Sequence, residues 1–354
     1  EQDSPNRQLV SDYSDEEKNI LASVGDELKA AKVSTIQAAS YSNDQVLYEL
    51  RDTLGFDSVL VFSQDSSAQL YSAAFAFLGA NRGNYRLAQN RANGRVFEWI
   101  APVNGVPQGQ YAPVRSLVAP NQLQVLTLNT SGRIGKNQKL SVDMAASNND
   151  INLFSNLDEG NDIGTAGRFM YNADIPLKKA LLRASGNFEY NQTQYTTIER
   201  IRRVEFARDW NLPLNYRGQV QLAEGALSYL RDSTQVNYQL QYLTARGTEG
   251  VRNVLNGQHR SEKQVFNVNT SWLSSTDTSR KTDFLREQLN YQYFILPQWW
   301  VGARSIGEWN LQHSLNRDSL INSSYSFTEY EANVGFGDSA LSYLMLGYLL
   351  RHDD

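Results

Sequence analysis

The chain contains no cysteine among its 354 residues, which excludes a disulfide framework, a thiolate zinc site, an iron–sulfur cluster and a cysteine nucleophile. Histidine is nearly as scarce: His259, His313 and His352 fall in polar stretches or at the terminus, too scattered to suggest an imidazole metal site. Basic charge is lacking as well. Lysine and arginine number 33 against 38 aspartates and glutamates, a formal net charge of −5, so the chain has neither the electrostatic footprint of a nucleic-acid-binding protein nor a polybasic lipid anchor. The longest apolar runs, Tyr71 to Ala80 and Leu341 to Leu350, reach about half of the roughly 20 residues that a membrane-spanning helix needs. The opening residues EQDSPNRQ hold neither a basic n-region nor an apolar h-region, and the expectation is a secretory signal that is absent or already removed. No G-x-S-x-G elbow, H-E-x-x-H helix or phosphate-binding P-loop occurs, so neither an enzyme nor a cofactor is expected.

What the chain does have is an excess of aromatics and amides: 19 Tyr, 14 Phe and 6 Trp stand beside 31 Asn and 25 Gln, with only 8 Pro. A disordered chain lacks the aromatics, and a helical enzyme has less Tyr and Asn. Residues 1–115 read as a mixed α/β module or plug. Ser14 and Glu17 fit a capping box ahead of Ile20, Leu21, Val24 and Leu28, and a second helix is expected from Asp44 to Leu54, with Val46, Leu47, Leu50 and Leu54 on one face and Gly55 as its stop. Strands are expected at 59–62, 70–78 and 96–100, and turns within Asn93 to Tyr111.

Residues 116–354 change to a period of two. Val236, Tyr238, Leu240 and Tyr242 alternate with Gln235, Asn237, Gln239 and Gln241. Phe266, Val268, Thr270 and Trp272 repeat the pattern, as do Leu289, Tyr291, Tyr293 and Ile295, Leu140, Val142, Met144 and Ala146, and Leu214, Tyr216, Gly218, Val220 and Leu222. About eleven such strands can be read. A water-soluble antiparallel sheet would also alternate. The polar register, however, is Asn, Gln, Ser and Arg with little Lys, as suits a hydrated lumen. The apolar register carries Trp210, Trp272, Trp299, Trp300, Trp309 and Tyr348 near strand ends, as interfacial girdles require. Short turns at Gly135 to Gln138, Pro176 to Lys179, Arg231 to Thr234 and Gly337 to Ser339 alternate with longer polar segments at Asn148 to Thr165, Asn191 to Pro213, Arg246 to Glu262 and His313 to Ser323. At Leu296, Pro297 and Gln298 a tight turn falls on the wrong side of that alternation. The expected fold is mainly β: an antiparallel transmembrane β-barrel, or a large part of one, with a small N-terminal α/β module.

Two segments, NGRVFEWIAPVNGVPQGQY (Asn93 to Tyr111) and TTIERIRRVEFARDWNL (Thr196 to Leu212), together with the strands between them, resemble large, mostly uncharacterised outer-membrane β-barrel proteins of Gram-negative bacteria. The resemblance covers roughly residues 68–350 and implies a bacterial outer-membrane location. It also implies a non-enzymatic role in transport, secretion or envelope assembly, and outer-membrane lipid as a partner. Barrels of that kind usually end on an aromatic residue, whereas this chain ends Leu349, Leu350, Arg351, His352, Asp353 and Asp354. Further strands, from other subunits or the rest of a longer chain, are therefore expected. The alternative reading is a soluble or surface-exposed β-rich binding module, for example for glycans; a barrel-embedded hydrolase would need a Ser/His/acid set that is not visible.

Two charged stretches are candidate sites. Glu199, Arg200, Arg202, Arg203, Glu205, Arg208 and Asp209, with Phe206 and Trp210 interleaved, read either as a salt-bridged loop or as a charged cluster facing a lumen or a partner, where guanidinium groups fork onto carboxylates. Asp150, Asp158, Glu159 and Asp162 offer hard oxygen ligands that could hold a cation weakly. They lack EF-hand spacing, because Phe154 takes the fifth position from Asp150, and a solvated surface loop is the competing reading.

Overall fold

The computed structural model describes residues 13–91, 94–199, 202–213, 216, 218–317, 319–338 and 342–353. The chain divides into two compact units, one of Gln2–Gln122 with Asn149–Gly160 and one of Leu123–Asn148 with Asn161–Asp354. The boundary expected near residue 115 thus falls at Gln122, and a segment expected among the barrel strands belongs to the N-terminal unit.

In the N-terminal unit, α1 (Asp15–Val24) begins at the expected capping box. The Ser14 hydroxyl accepts from the Glu17 amide at 3.2 Å, and the Glu17 carboxylate accepts from the Ser14 amide at 2.9 Å. Arg115 also donates to Glu17, and Leu21 packs into a cluster with Tyr13, Ala31, Leu117 and Ala119. The Ser14 amide, aided by Arg115, holds the Glu17 carboxyl below its ordinary 4.5 against the opposing effect of burial. A depressed carboxylate stabilises the fold above its unfolded-state pKa and stops doing so as pH falls through the folded value. Amide-exchange protection of α1 should therefore drop below about pH 4.5 in the native chain and be pH-insensitive in Glu17→Gln, as exchange mass spectrometry would read.

The helix expected over Asp44 to Leu54 is not formed. There, β3 (Tyr48–Thr53) and β4 (Phe56–Phe62) make an antiparallel hairpin. Leu54 and Gly55 both have left-handed backbone, with φ of 51° and 80°, the geometry of a type I′ turn, so the glycine taken for a helix stop turns a hairpin. The β-branched and aromatic run Val59 to Phe62 overrides the helical spacing of the preceding leucines. Strand β2 (Gln37–Ala39) and strand β5 (Leu70–Ser72) complete a sheet of order β2-β5-β3-β4. Then β6 (Ala76–Phe77), β7 (Tyr85–Arg91), β8 (Gly94–Trp99) and β9 (Tyr111–Ala112) make a second one, of order β6-β9-β7-β8. A two-stranded pair, β1 (Lys32–Ser34) with β10 (Val114–Ser116), stands apart from them.

The two four-stranded sheets repeat one another. Each opens with a short strand, continues with a hairpin and closes with a second short strand that inserts beside the first arm of the hairpin. Tyr48 pairs with Tyr71 in one, and Tyr85 with Tyr111 in the other. The sequence carries the same spacing twice: Tyr48, Leu50, Val59, Leu60 and Phe62 match Tyr85, Leu87, Val96, Phe97 and Trp99. The contacts are reciprocal as well. The Tyr85 hydroxyl accepts from the Leu60 amide at 3.0 Å, and the Tyr48 hydroxyl accepts from the Phe97 amide at 3.1 Å. These four residues form one core cluster, inside which Phe75 stacks on Phe97 with ring centroids 4.4 Å apart. Tyr48→Phe or Tyr85→Phe strands one buried amide, which costs about 1–3 kcal/mol. Urea unfolding should show similar losses for the two variants.

The second unit is built on one antiparallel sheet of twelve strands in which every strand pairs with its sequence neighbours. The strands are β11 (Gln122–Arg133), β12 (Gln138–Asp150), β13 (Ile163–Leu177), β14 (Ala180–Asn191), β15 (Val220–Arg231), β16 (Thr234–Ala245), β17 (Thr248–Arg260), β18 (Gln264–Thr276), β19 (Arg280–Leu296), β20 (Trp299–Ser314), β21 (Tyr325–Asp338) and β22 (Ser342–Asp353). The sheet is open, with β11 and β22 as its edges. The additional strand is β17, which occupies the segment expected to be a long connection, Arg246 to Glu262. Its Asn256-Gly257 dipeptide looks like a turn, and Asn253 and His259 interrupt its apolar register. Counting β17 restores the order of the connections and accounts for the misplaced turn at Pro297. The described connections at one end, 134–137, 178–179, 232–233, 261–263 and 297–298, are all short, and the long ones, 151–162, 192–219 and 315–324, are all at the other. The three histidines, expected in loops or at the terminus, lie in β17, β20 and β22.

Pairing register sorts the side chains onto two faces. One row across the sheet reads Val142, Phe169, Phe188, Ala223, Tyr242 and Val251, and a row on the opposite face reads Asp174, Arg183, Ser228, Asn237, Asn256, Asn269 and Gln288. The apolar face is the exposed one: Tyr238, Leu240 and Tyr242 are 42%, 47% and 45% accessible. The polar face is the sheltered one, with Thr282, Asn310 and Gln312 buried. Of the expected girdle residues, Trp272, Trp299, Trp309 and Tyr348 lie in the apolar register, and Trp299 packs on Phe336 at 4.8 Å between centroids. Trp210 and Trp300 do not. Trp300 is buried in the polar register over Gly335, where an added Cβ would stand 2.2 Å from the indole. Val220 and Leu222 also lie on the polar face, the reverse of the register expected for them, while Gln221 and Ala223 take the apolar one. Leu214 from the same expected register is outside the described residues.

Candidate functional site

The polar face carries an apolar spot on β15, β16, β18 and β19. Leu222 pairs with Leu243, and Leu273 pairs with Phe284. These side chains sit near the end of the sheet that bears the long connections. Part of the connection between β14 and β15, residues 202–212, folds back onto this spot. Its short helix α2 (Phe206–Asp209) and the residues that follow place Ala207, Trp210 and Leu212 against Leu222, Leu243, Leu273 and Phe284 in one buried cluster. Burial of an indole beside leucines supplies the anchoring energy, since apolar area removed from water contributes about 25 cal/mol per Å2.

Around that anchor the charges of the segment meet complementary charges on the strands. Asp209 lies 2.9 Å from the Arg286 Nη1 and 3.2 Å from the Arg252 Nη2. Arg208 donates to Glu308 at 2.6 Å. Arg202 pairs with Glu189, donates to the Asn191 Oδ1 at 3.1 Å and stacks over the Phe206 ring at 4.3 Å. Burial pulls the Arg202 guanidinium below its ordinary value, and the Glu189 carboxylate opposes that shift. Three of the expected cluster residues are thus engaged with the polar face of the sheet. Glu199, Arg203 and Glu205 have no ion pair among the described residues, and Arg200 lies outside them. Sequence reasoning missed the strand residues that complete the network, Glu189, Arg252, Arg286 and Glu308. They stand in the polar register where Asn and Gln otherwise stand, and that register is the one signal that could have found them.

The second candidate is not assembled. Asp150 accepts from the Asn152 amide at 2.8 Å, Asp158 lies beside Gly25, Glu159 opens a single 3-10 turn (Glu159–Asn161), and no group of three or more His, Asp or Glu suited to a metal occurs among the described residues. Nor is the segment a solvated loop. Asn152 is 1% exposed and donates to the carbonyls of Leu21 at 2.8 Å and Gly25 at 2.7 Å, while the Ser155 hydroxyl donates to the Ala22 carbonyl at 3.0 Å. These are carbonyls at the C-terminus of α1 that have no intrahelical partner, so the segment acts as a side-chain cap. Phe154 packs edge-on against Tyr13 at 5.4 Å.

Compared with protein-family models and with curated proteins, the chain matches none.

Proposed function

We propose that the twelve-stranded unit is wall of an outer-membrane β-barrel, with its apolar face toward lipid, its polar face toward a hydrated lumen, and residues 202–212 folded in as a charged constriction. The observation that carries this reading is the inversion of exposure: the apolar register is open and the polar register sheltered, the reverse of a water-soluble sheet. On β19 the apolar register runs from Leu285 to Ile295, interrupted by Glu287. At about 3.3 Å per residue and a tilt of about 45° that stretch covers roughly 23 Å along the normal, close to the apolar band of a bacterial barrel. Open edges favour a wall that is completed by further strands, from a longer chain or other subunits, because each unpaired backbone group in hydrocarbon costs several kcal/mol. The role is passage or assembly of polar material across the bacterial outer membrane, in transport, secretion or envelope assembly, without chemistry of its own.

Membrane fractionation combined with a lipid-borne photoactivatable probe tests this. Label should concentrate on Tyr238, Leu240 and Tyr242 and spare Asn237 and Gln239. A monodisperse protein that needs no detergent, as a soluble binding module would be, removes the reading.

A further inference from the structure

The described residues of 192–219 and the adjoining ends of β14 and β15 line a half-open cavity of about 600 Å3. That size falls within the roughly 300–1,000 Å3 of small-molecule sites. Several polar groups on its wall are committed to the fold. Asn191 donates to the Gly218 carbonyl at 3.2 Å and accepts from Arg202, the Thr193 hydroxyl accepts from the Gln219 amide at 3.1 Å, and the Tyr216 hydroxyl donates to the Gln219 carbonyl and accepts from the Arg246 amide. Four lining side chains are not. Tyr195, Thr197, Glu199 and Arg203 line the cavity, the last two being exposed, and none has a side-chain partner among the described residues.

These four define a chemistry. Arg203 only donates and Glu199 only accepts, whereas the two hydroxyls do both. Among the described lining residues the formal charges cancel: Glu199 offsets Arg203, and Arg202 is already neutralised by Glu189. A site of this kind selects neither anions nor cations. Ile198, Phe206 and Leu212 add apolar surface to the same wall. A neutral, hydroxyl-rich ligand answers all of this: adjacent hydroxyls can donate to the carboxylate while accepting from the guanidinium, and the ring faces are apolar. We infer that the cavity under the inward-folded segment binds a short neutral saccharide. The inference rests on the proposed barrel only in placing the cavity on the lumen side; the cavity itself belongs to one unit of the chain.

The test is calorimetric titration of the full chain with maltotriose and cellotriose, beside a neutral tripeptide and inorganic phosphate. At least one trisaccharide should bind, and Glu199→Gln and Arg203→Gln should each weaken it at least tenfold while leaving the β-type circular dichroism unchanged. Thr197→Val should weaken it less, since it removes a neutral partner. Tighter binding of tripeptide or phosphate, absence of saccharide binding, or equal affinity in the variants overturns the assignment. Failure of the membrane reading is separately visible: a chain that stays dispersed without detergent would defeat that reading and still give a readable titration.

Discussion

Arginine in place of Leu240 should cost about 2–4 kcal/mol of folding stability in phospholipid vesicles, the range for a cationic side chain near the lipid midplane of a barrel. Arginine in place of the adjacent Gln239 should change stability by no more than about 0.5 kcal/mol, as an ordinary hydrated-surface substitution does. Leu240 lies in the middle of the exposed run Val236 to Tyr242, and its cross-strand neighbours are Gly225 and Asn253. Gln239 points to the opposite face beside Ala226 and Val254. The two positions share a strand and a backbone environment, so the difference between them measures the solvent on each face. Reversible urea unfolding in vesicles gives both numbers. Equal costs would mean that both faces meet the same medium, and the barrel would have to be abandoned.

Removing the indole of Trp210 is the second large effect. Trp210 is 2% exposed and packs with Leu243 and Leu273, both essentially inaccessible, and truncation of such a side chain to alanine costs about 3–5 kcal/mol. The remaining attachments include ion pairs: that of Arg208 is half-exposed and contributes about 0–1 kcal/mol, while in those of Arg202 and Asp209, whose side chains are 14–22% exposed, the cost of taking the charges out of water offsets much of the attraction. Trp210→Ala should therefore detach residues 202–212 from the polar face without unfolding the strands. Limited proteolysis should then cut within 202–212 before it cuts β15 or β16, and a reconstituted pore should conduct more. Unchanged cleavage and conductance would show that the segment is held by its charges rather than by its apolar anchor. Asp209→Ala separates the contributions, because it removes the carboxylate that Arg252 and Arg286 share, leaving Arg286 only Glu308 at 3.8 Å, while the indole stays in place.

The parts of the fold that were legible in the sequence are those set by local periodicity. The strict alternation of Gln235 to Tyr242 specifies both faces of β16, and Ser14 with Glu17 specifies the start of α1, because each signal is complete within a few residues. What was illegible depends on partners far along the chain. The leucines at 47, 50 and 54 have helical spacing, and only pairing with Val59 to Phe62 makes the segment a hairpin. β17 was hidden by Asn and Gly residues that are tolerated in a strand supported on both sides. Trp210 was misplaced because its environment is built by Leu243 and Leu273, on two other strands. At the charged segment the residue types were readable, but their partners were not: nothing local tells Asp209 that Arg252 and Arg286 will face it. The acidic run after β12 misled for the same reason, since Asn152, not its carboxylates, makes the decisive contact, with a helix more than a hundred residues upstream.

The exchange of hydroxyls between Tyr48 and Tyr85 makes the two small sheets mutually obligate. Each hairpin holds the acceptor that the other one's backbone requires, so neither copy of the repeat is complete as an independent folding unit despite having its own turn and its own strand order. A protein assembled from one copy would carry an unanswered amide at Leu60 or Phe97 together with half an aromatic core. The smallest piece of this unit that answers both amides and completes the aromatic core is therefore the pair.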